Sequence, residues 1–179
     1  KDTILNKYIN SIKRNLENFK LFDNKNKPLN FDKTFRNIVN LIKSDKQKSI
    51  FFIGNGGSNG ISSHMATDWT KNGGMKSLSL DNSSTLTCIG NDFGYEHIYS
   101  KQIEFYAKKN DMLFVISSSG NSKNIINATD IARRMGLYIV TLSGFSKNNL
   151  LRQRGDINFY VPSNIYGYVE ISHEIILHS

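Results

Sequence analysis

The stretch Ser49–Thr70, SIFFIGNGGSNGISSHMATDWT, decides how the rest of the chain is read. Ile50-Phe51-Phe52-Ile53 is a short, wholly apolar run, as a strand buried on both faces requires. Gly54-Asn55-Gly56-Gly57-Ser58 then interrupts it with glycines, where a backbone turns sharply or lets a ligand approach. Ser58 or Asn59 is suited to cap a following helix, whose first turns would carry Ser62, His64 and Asp68. A strand, a glycine loop and a helix N-terminus together make an anion site. His64 and Asp68, four residues apart, share one helical face just beyond it. The combination points to chemistry on a phosphorylated substrate.

Downstream, the same alternation repeats. Apolar strand candidates fall at 49–53, 75–80, 112–117, 137–142 and 157–161, and helix candidates at 58–71, 83–90, 95–108, 121–135 and 165–178. Strands alternating with helices of this length predict an α/β fold with a parallel sheet covered on both faces. Upstream, Ile4, Tyr8, Ile9, Ile12, Leu16 and Phe19 recur at helical spacing. The polar run Asp23–Pro28 reads as the loop ending that helix, and a second amphipathic helix spans about 31–44 with Asn30 as its cap. The expectation is a single domain over 1–179, with 1–45 as an N-terminal helical extension packed partly on the domain and partly on a partner subunit.

Composition excludes several classes. No run of eighteen apolar residues is present, which argues against a membrane span, and no signal-peptide pattern opens the sequence. The sequence begins at Lys1 and its last apolar helix reaches Ser179 without a stop signal, which leaves open a longer natural chain. The single cysteine, Cys88, rules out an internal disulfide framework, fits a cytoplasmic protein and is expected to be packed and inert. The formal charge of +8 is spread over scattered lysines rather than a basic stripe interleaved with aromatics. It therefore argues for a solvated surface that attracts anionic substrates, and against a nucleic-acid partner.

In such sheets ligands bind beyond the carboxyl ends of the strands. One such end, Ile116-Ser117-Ser118-Ser119-Gly120-Asn121-Ser122, offers hydroxyls, a glycine turn and free helix N–H groups to a phosphate without needing a lysine. Neither loop has the G-x-x-x-x-G-K-[ST] pattern of nucleotide triphosphatases, and Asn59 occupies the third glycine position of a dinucleotide fingerprint. His64 with Asp68, and Glu170 with His178, are pairs that could meet across the fold, and zinc accepts imidazole and carboxylate ligands. His97 and His173 are read as surface or packing residues.

With GNGGS at 54–58, His64, LTCIGNDFGYE at 86–96, ISSSGNS at 116–122 and VPS at 161–163, the chain resembles the sugar-isomerase (SIS) domain family, and within it the phosphoheptose isomerases. The resemblance implies a three-layer αβα sandwich with a flavodoxin-like parallel sheet. It also implies a homotetramer with active sites at subunit interfaces, and isomerisation of sedoheptulose 7-phosphate to D-glycero-D-manno-heptose 7-phosphate for surface-polysaccharide heptose. Ser117, Ser118, Ser119 and Ser122 would hold the phosphate, while Asn55, Gly56, Gly57, Asn91 and Asp92 would line the sugar site. One zinc ion per subunit would fall to His64, Asp68, Glu170 and His178, with Asp68 as base and His178 as acid. Two positions depart from the family pattern. Asp68 is one methylene shorter than the family's Glu, and Glu170 is charged where the family has Gln. Those departures motivate an alternative, a non-catalytic SIS protein that binds a sugar phosphate or a protein partner.

Overall fold

A computed structural model describes residues 3–179. Its centre is a sheet of six strands: β1 (Lys20–Asp23), β2 (Ile50–Gly54), β3 (Ser77–Ser79), β4 (Met112–Ser117), β5 (Tyr138–Ser143) and β6 (Ile157–Tyr160). They lie in the order β1-β6-β5-β4-β2-β3. Every pairing is parallel except β1 on β6, where Lys20 faces Tyr160 and Asp23 faces Ile157. The helices are α1 (Ile4–Asn18), α2 (Phe31–Lys43), α3 (Gly57–Lys71), α4 (Ser83–Phe93), α5 (Ser100–Tyr106), α6 (Lys123–Met135) and α7 (Tyr166–His178).

Alternation along the strands divides the core in two. Ile50, Phe52, Met112, Phe114, Ile116, Val140 and Phe159 point to the face covered by α2, α3 and α7. Phe51, Ile53, Leu113, Val115 and Ile139 point to the opposite face, under α5 and α6. These are the layers of an αβα sandwich. On the first face the Phe52 and Phe114 rings stack at 4.9 Å, and Trp69 of α3 meets them edge-on at 5.2 and 5.0 Å. That contact fixes α3 against β2 and β4, and truncating such a ring to alanine costs about 3–5 kcal/mol.

Several local expectations are corrected. Residues 20–23, where the first helix was expected to end and the polar loop to begin at Asp23, form the antiparallel edge strand β1. With four residues and only Leu21 buried, the strand carries too little alternation to register as one in the sequence. The region before residue 45 is thus not wholly helical. Helix α3 starts at Gly57 with Gly56 as its cap, rather than at Ser58 or Asn59, because the chain turns at Gly56 with φ 56° and takes Ser58 inside the first turn. The single helix expected over 95–108 is a 3₁₀ turn at Tyr95–His97 followed by α5, broken off from α4 at Gly94, where φ is 92°. Cys88 is exposed rather than packed, its Sγ 3.7 Å from Asp92 Oδ2, because the buried side of α4 is carried by Ile89.

Candidate functional site: a serine-lined pocket beside an imidazole pair

The carboxyl ends of β2 and β4 open into a pocket of about 370 Å³ lined by Asn55, Gly56, Gly57, Ser58, Ser117, Ser118, Ser119, Ser122, Tyr166 and Glu170. Two helices begin there. Neither α3 nor α6 has a side-chain bond at its cap residue, although Ser58 N and Asn59 N already donate to Asn55 O and Gly56 O, and Ile125 N to Asn124 Oδ1. Ser118 Oγ is buried, with the residue 3% exposed, and has no hydrogen-bond partner among the described residues. An unpaired buried hydroxyl at a double helix N-terminus is matched to an anion with several acceptor oxygens.

The loop between β4 and α6 owes its shape to Gly120, where φ is 64° and a Cβ would collide with the Asn149 side chain. Its backbone accepts from Leu151 N at 2.9 Å, and Gly120 N donates to Ser117 Oγ at 3.2 Å. Asn149 in turn donates through Nδ2 to Gly144 O and Ser146 O, at 3.1 and 2.8 Å. The loop is therefore held from behind by a buried side chain. Asn55 is fixed in the same way: its amide and that of Asn124 exchange hydrogen bonds of 3.0 and 2.9 Å. Tyr99 OH donates to Gly54 O at the end of β2.

Glu170 is the carboxylate of this pocket. A Cβ built on Gly57 would fall 2.5 Å from one of its oxygens, so only glycine lets α7 approach the loop this closely. Burial pushes the Glu170 carboxyl above its ordinary value.

Farther along the same two helices lies a second group. His64 and His178 have ring centroids 5.1 Å apart. Asp68 Oδ2 is 3.7 Å from His64 Nε2 and 3.9 Å from His178 Nδ1. A ligand atom each from His64, Glu174 and His178 lie within 4.8 Å of one another. Two imidazoles with carboxylates beside them form a donor set that a divalent metal accepts.

The structure thus brings Asn55, Gly56, Gly57, Ser117, Ser118, Ser119, Ser122 and Glu170 to one pocket, and His64, Asp68 and His178 to one cluster. Asn91 and Asp92 are not in that pocket. They lie exposed at the end of α4, where Asn91 Nδ2 donates to Asp92 Oδ1 at 2.9 Å. The sequence singles out Ser58 only as a loop residue and helix cap, and does not single out Tyr166, Asn124, Asn149 or Glu174. Glu174 had a usable signal, four residues before His178, whereas the Asn149 contact had none. His173, read as a surface or packing residue, is fully buried with Nε2 3.1 Å from Ser143 O, and burial lowers its pKa to about 4. It is a packing residue.

This geometry has known relatives. Residues 7–144 match the SIS domain family model. The chain belongs to the SIS domain family. Among curated relatives, this SIS domain is 38% identical over 135 residues to the phosphoheptose isomerase of Helicobacter hepaticus, covering 72% of this chain and 68% of that protein. It is 36% identical over 138 residues to that of Fusobacterium nucleatum, covering 74% and 71%. In fold it matches a solved phosphoheptose isomerase from Neisseria gonorrhoeae with a TM-score of 0.78 at 24% identity, over 97% of this chain and 90% of the other.

Proposed function

We propose that this SIS domain is an aldose–ketose isomerase that converts sedoheptulose 7-phosphate to D-glycero-D-manno-heptose 7-phosphate through an enediol, supplying heptose for a surface polysaccharide. The observation that carries the reading is the pocket itself: serine hydroxyls and two helix N-termini on one side, and the Glu170 carboxylate on the other. The shared name of the curated relatives supplies the sugar.

Ser117, Ser118, Ser119 and Ser122 hold the phosphate, which fixes the far end of the substrate. Asn55, Gly56 and Gly57 line the sugar. The proton beside the carbonyl is taken by a carboxylate. Asp68 was expected in that role, but Glu170 is the one that lines the pocket. We assign the step to Glu170, with Asp68 orienting both imidazoles. His178 handles the proton at the sugar oxygens, its ring offering one nitrogen for a metal and one for a proton. Zinc fits the cluster, with His64, His178 and a carboxylate holding it; when bound, it would stabilise negative charge on the sugar oxygens.

The reading extends to residues 1–179 as one SIS domain acting on an anionic sugar in the cytoplasm. No described helix is long and apolar enough to cross a membrane. It also extends to a homotetramer. Ile4, Leu5 and Ile9 of α1 are exposed, and an apolar groove of about 480 Å³ runs between α1 and α7 beside Ile12, Leu16 and Ile175, surface that subunits would bury. In such an assembly the exposed Asn91 and Asp92 would serve a neighbour's sugar site.

Incubation of the full chain with sedoheptulose 7-phosphate, followed by chromatography of the sugar phosphates, tests the reading. Formation of the aldose is expected. Retained sugar-phosphate binding without conversion would replace the enzyme with a binding protein.

A further inference from the structure

Tyr166 lines the serine pocket from the first turn of α7. It stands four residues before Glu170, which also lines the pocket, so the two share a helical face about 6 Å apart along the axis. Although 59% exposed, the residue is held by a neighbour. Its ring meets that of Phe145 edge to face, with centroids 4.7 Å apart and planes at 69°.

Phe145 is itself an exception. Its φ is 55°, in the left-handed region; Asn26 and Asn110, the other such non-glycine residues among those described, are asparagines, which tolerate it far better than a bulky aromatic. The backbone is fixed there from both sides. Phe145 N donates to Ser163 O at 2.9 Å, and Phe145 O accepts from Tyr160 OH at 2.8 Å. One residue earlier, Gly144 N donates to Ser118 O at 3.0 Å. A chain of contacts therefore runs from the serine loop through Gly144 and Phe145 to Tyr166, and along α7 to Glu170. Strain of this kind persists only where its surroundings impose it, and here it sets one ring against another at the edge of the pocket.

We propose that Tyr166 is a specificity-determining residue: its ring lies against the carbon chain of a sugar phosphate, between the phosphate held by the serines and the carbons reached by Glu170, and Phe145 is its positioning residue. An aromatic ring offers an apolar face to sugar C–H groups, which a free phosphate ion does not have. Tyr166 thus makes the pocket prefer a phosphorylated sugar to phosphate itself. The proposal rests on the isomerase reading for the class of ligand, not for its turnover.

Titration calorimetry of the full chain with sedoheptulose 7-phosphate and, separately, with inorganic phosphate provides the test, with turnover measured on the same samples. Tyr166→Ala is expected to weaken sugar-phosphate binding about tenfold or more, while inorganic phosphate stays within about threefold of wild type. Tyr166→Phe keeps the ring and should retain most of the affinity. Phe145→Gly suits the left-handed backbone but removes the supporting ring, so it should reproduce part of the Tyr166→Ala loss, raising KM with kcat little changed. If Phe145 were merely structural, Tm would fall and the ratio of the two affinities would not move. Because Tyr166 is exposed, its variants should keep the wild-type Tm, so the test stands even if Phe145→Gly folds poorly. The proposal is overturned if Tyr166→Ala binds the sugar phosphate like wild type, if it loses both ligands equally, if Tyr166→Phe falls as far as Tyr166→Ala, or if wild type binds no sugar phosphate. Sugar phosphate bound without turnover, and weakened by Tyr166→Ala, keeps the proposal and removes the isomerase; turnover with a wild-type KM in Tyr166→Ala does the reverse.

Discussion

The serine pocket and the imidazole cluster lie along the same two helices, α3 and α7, yet they are built differently. The pocket is made of strand ends, loop backbone and helix N-termini, and four of its five serines come from one run of six residues, the fifth being Ser58 of α3. The cluster is made only of side chains projecting from two helices, its α3 and α7 members more than a hundred residues apart in the chain. A site made of backbone is shaped by dihedral angles and fails when those are disturbed. A site made of converging side chains fails one ligand at a time.

The largest effect is expected from disturbing the pocket's backbone. Gly120→Ala forces a side chain onto a left-handed residue, at about 1–2 kcal/mol, and drives it into Asn149. Thermal melts should show a lower Tm, and kcat/KM should fall about a hundredfold or more as the serines lose their positions. Wild-type turnover would show that the loop tolerates reshaping and that the contrast is wrong. Metal removal attacks the cluster instead. Chelation, or His64→Ala, should cut kcat by about a hundredfold while leaving KM for the sugar phosphate near wild type. A change in KM alone would merge the two sites.

Smaller effects sharpen the division. Ser122→Ala removes one hydroxyl from the phosphate grip, worth about 1–2 kcal/mol, so KM should rise about five- to thirtyfold with little change in Tm or metal content. The smallest effect concerns Glu170. Its folded pKa is raised by burial, so the folded state favours the protonated acid. The stability this contributes is complete below the unfolded pKa and is lost as pH rises through the folded one. Tm should therefore decline with pH across that window in wild type, and more weakly in Glu170→Gln. Identical slopes would mean that Glu170 is not held in the pocket.

Much of this was legible in local sequence. The apolar runs of β2, β4, β5 and β6 are buried along nearly their whole length, as continuous hydrophobic segments demand in a parallel sheet. Asn30 caps α2 through Lys33 N at 3.0 Å, as its position before a periodic run predicts. The 95–108 segment was harder, because apolar spacing alone does not reveal that Tyr95–His97 forms a 3₁₀ turn before α5 begins at Ser100. The exposure of Cys88 escapes the sequence because a semi-apolar run does not say which side of a short helix faces the core.

By itself, then, the sequence determined the elements, the loops at the strand ends, and the imidazole–carboxylate pair on α3, all of which depend on residues within a turn or two of one another. Tertiary structure alone decided that Lys20–Asp23 joins the sheet against β6, and which carboxylate of α7 faces Gly57 and which stands near the imidazoles. Helical periodicity tells which way Glu170, Glu174 and His178 point. It does not tell how far along its axis α7 lies against α3, and that offset sets Glu170 against Gly57 and Glu174 beside His64.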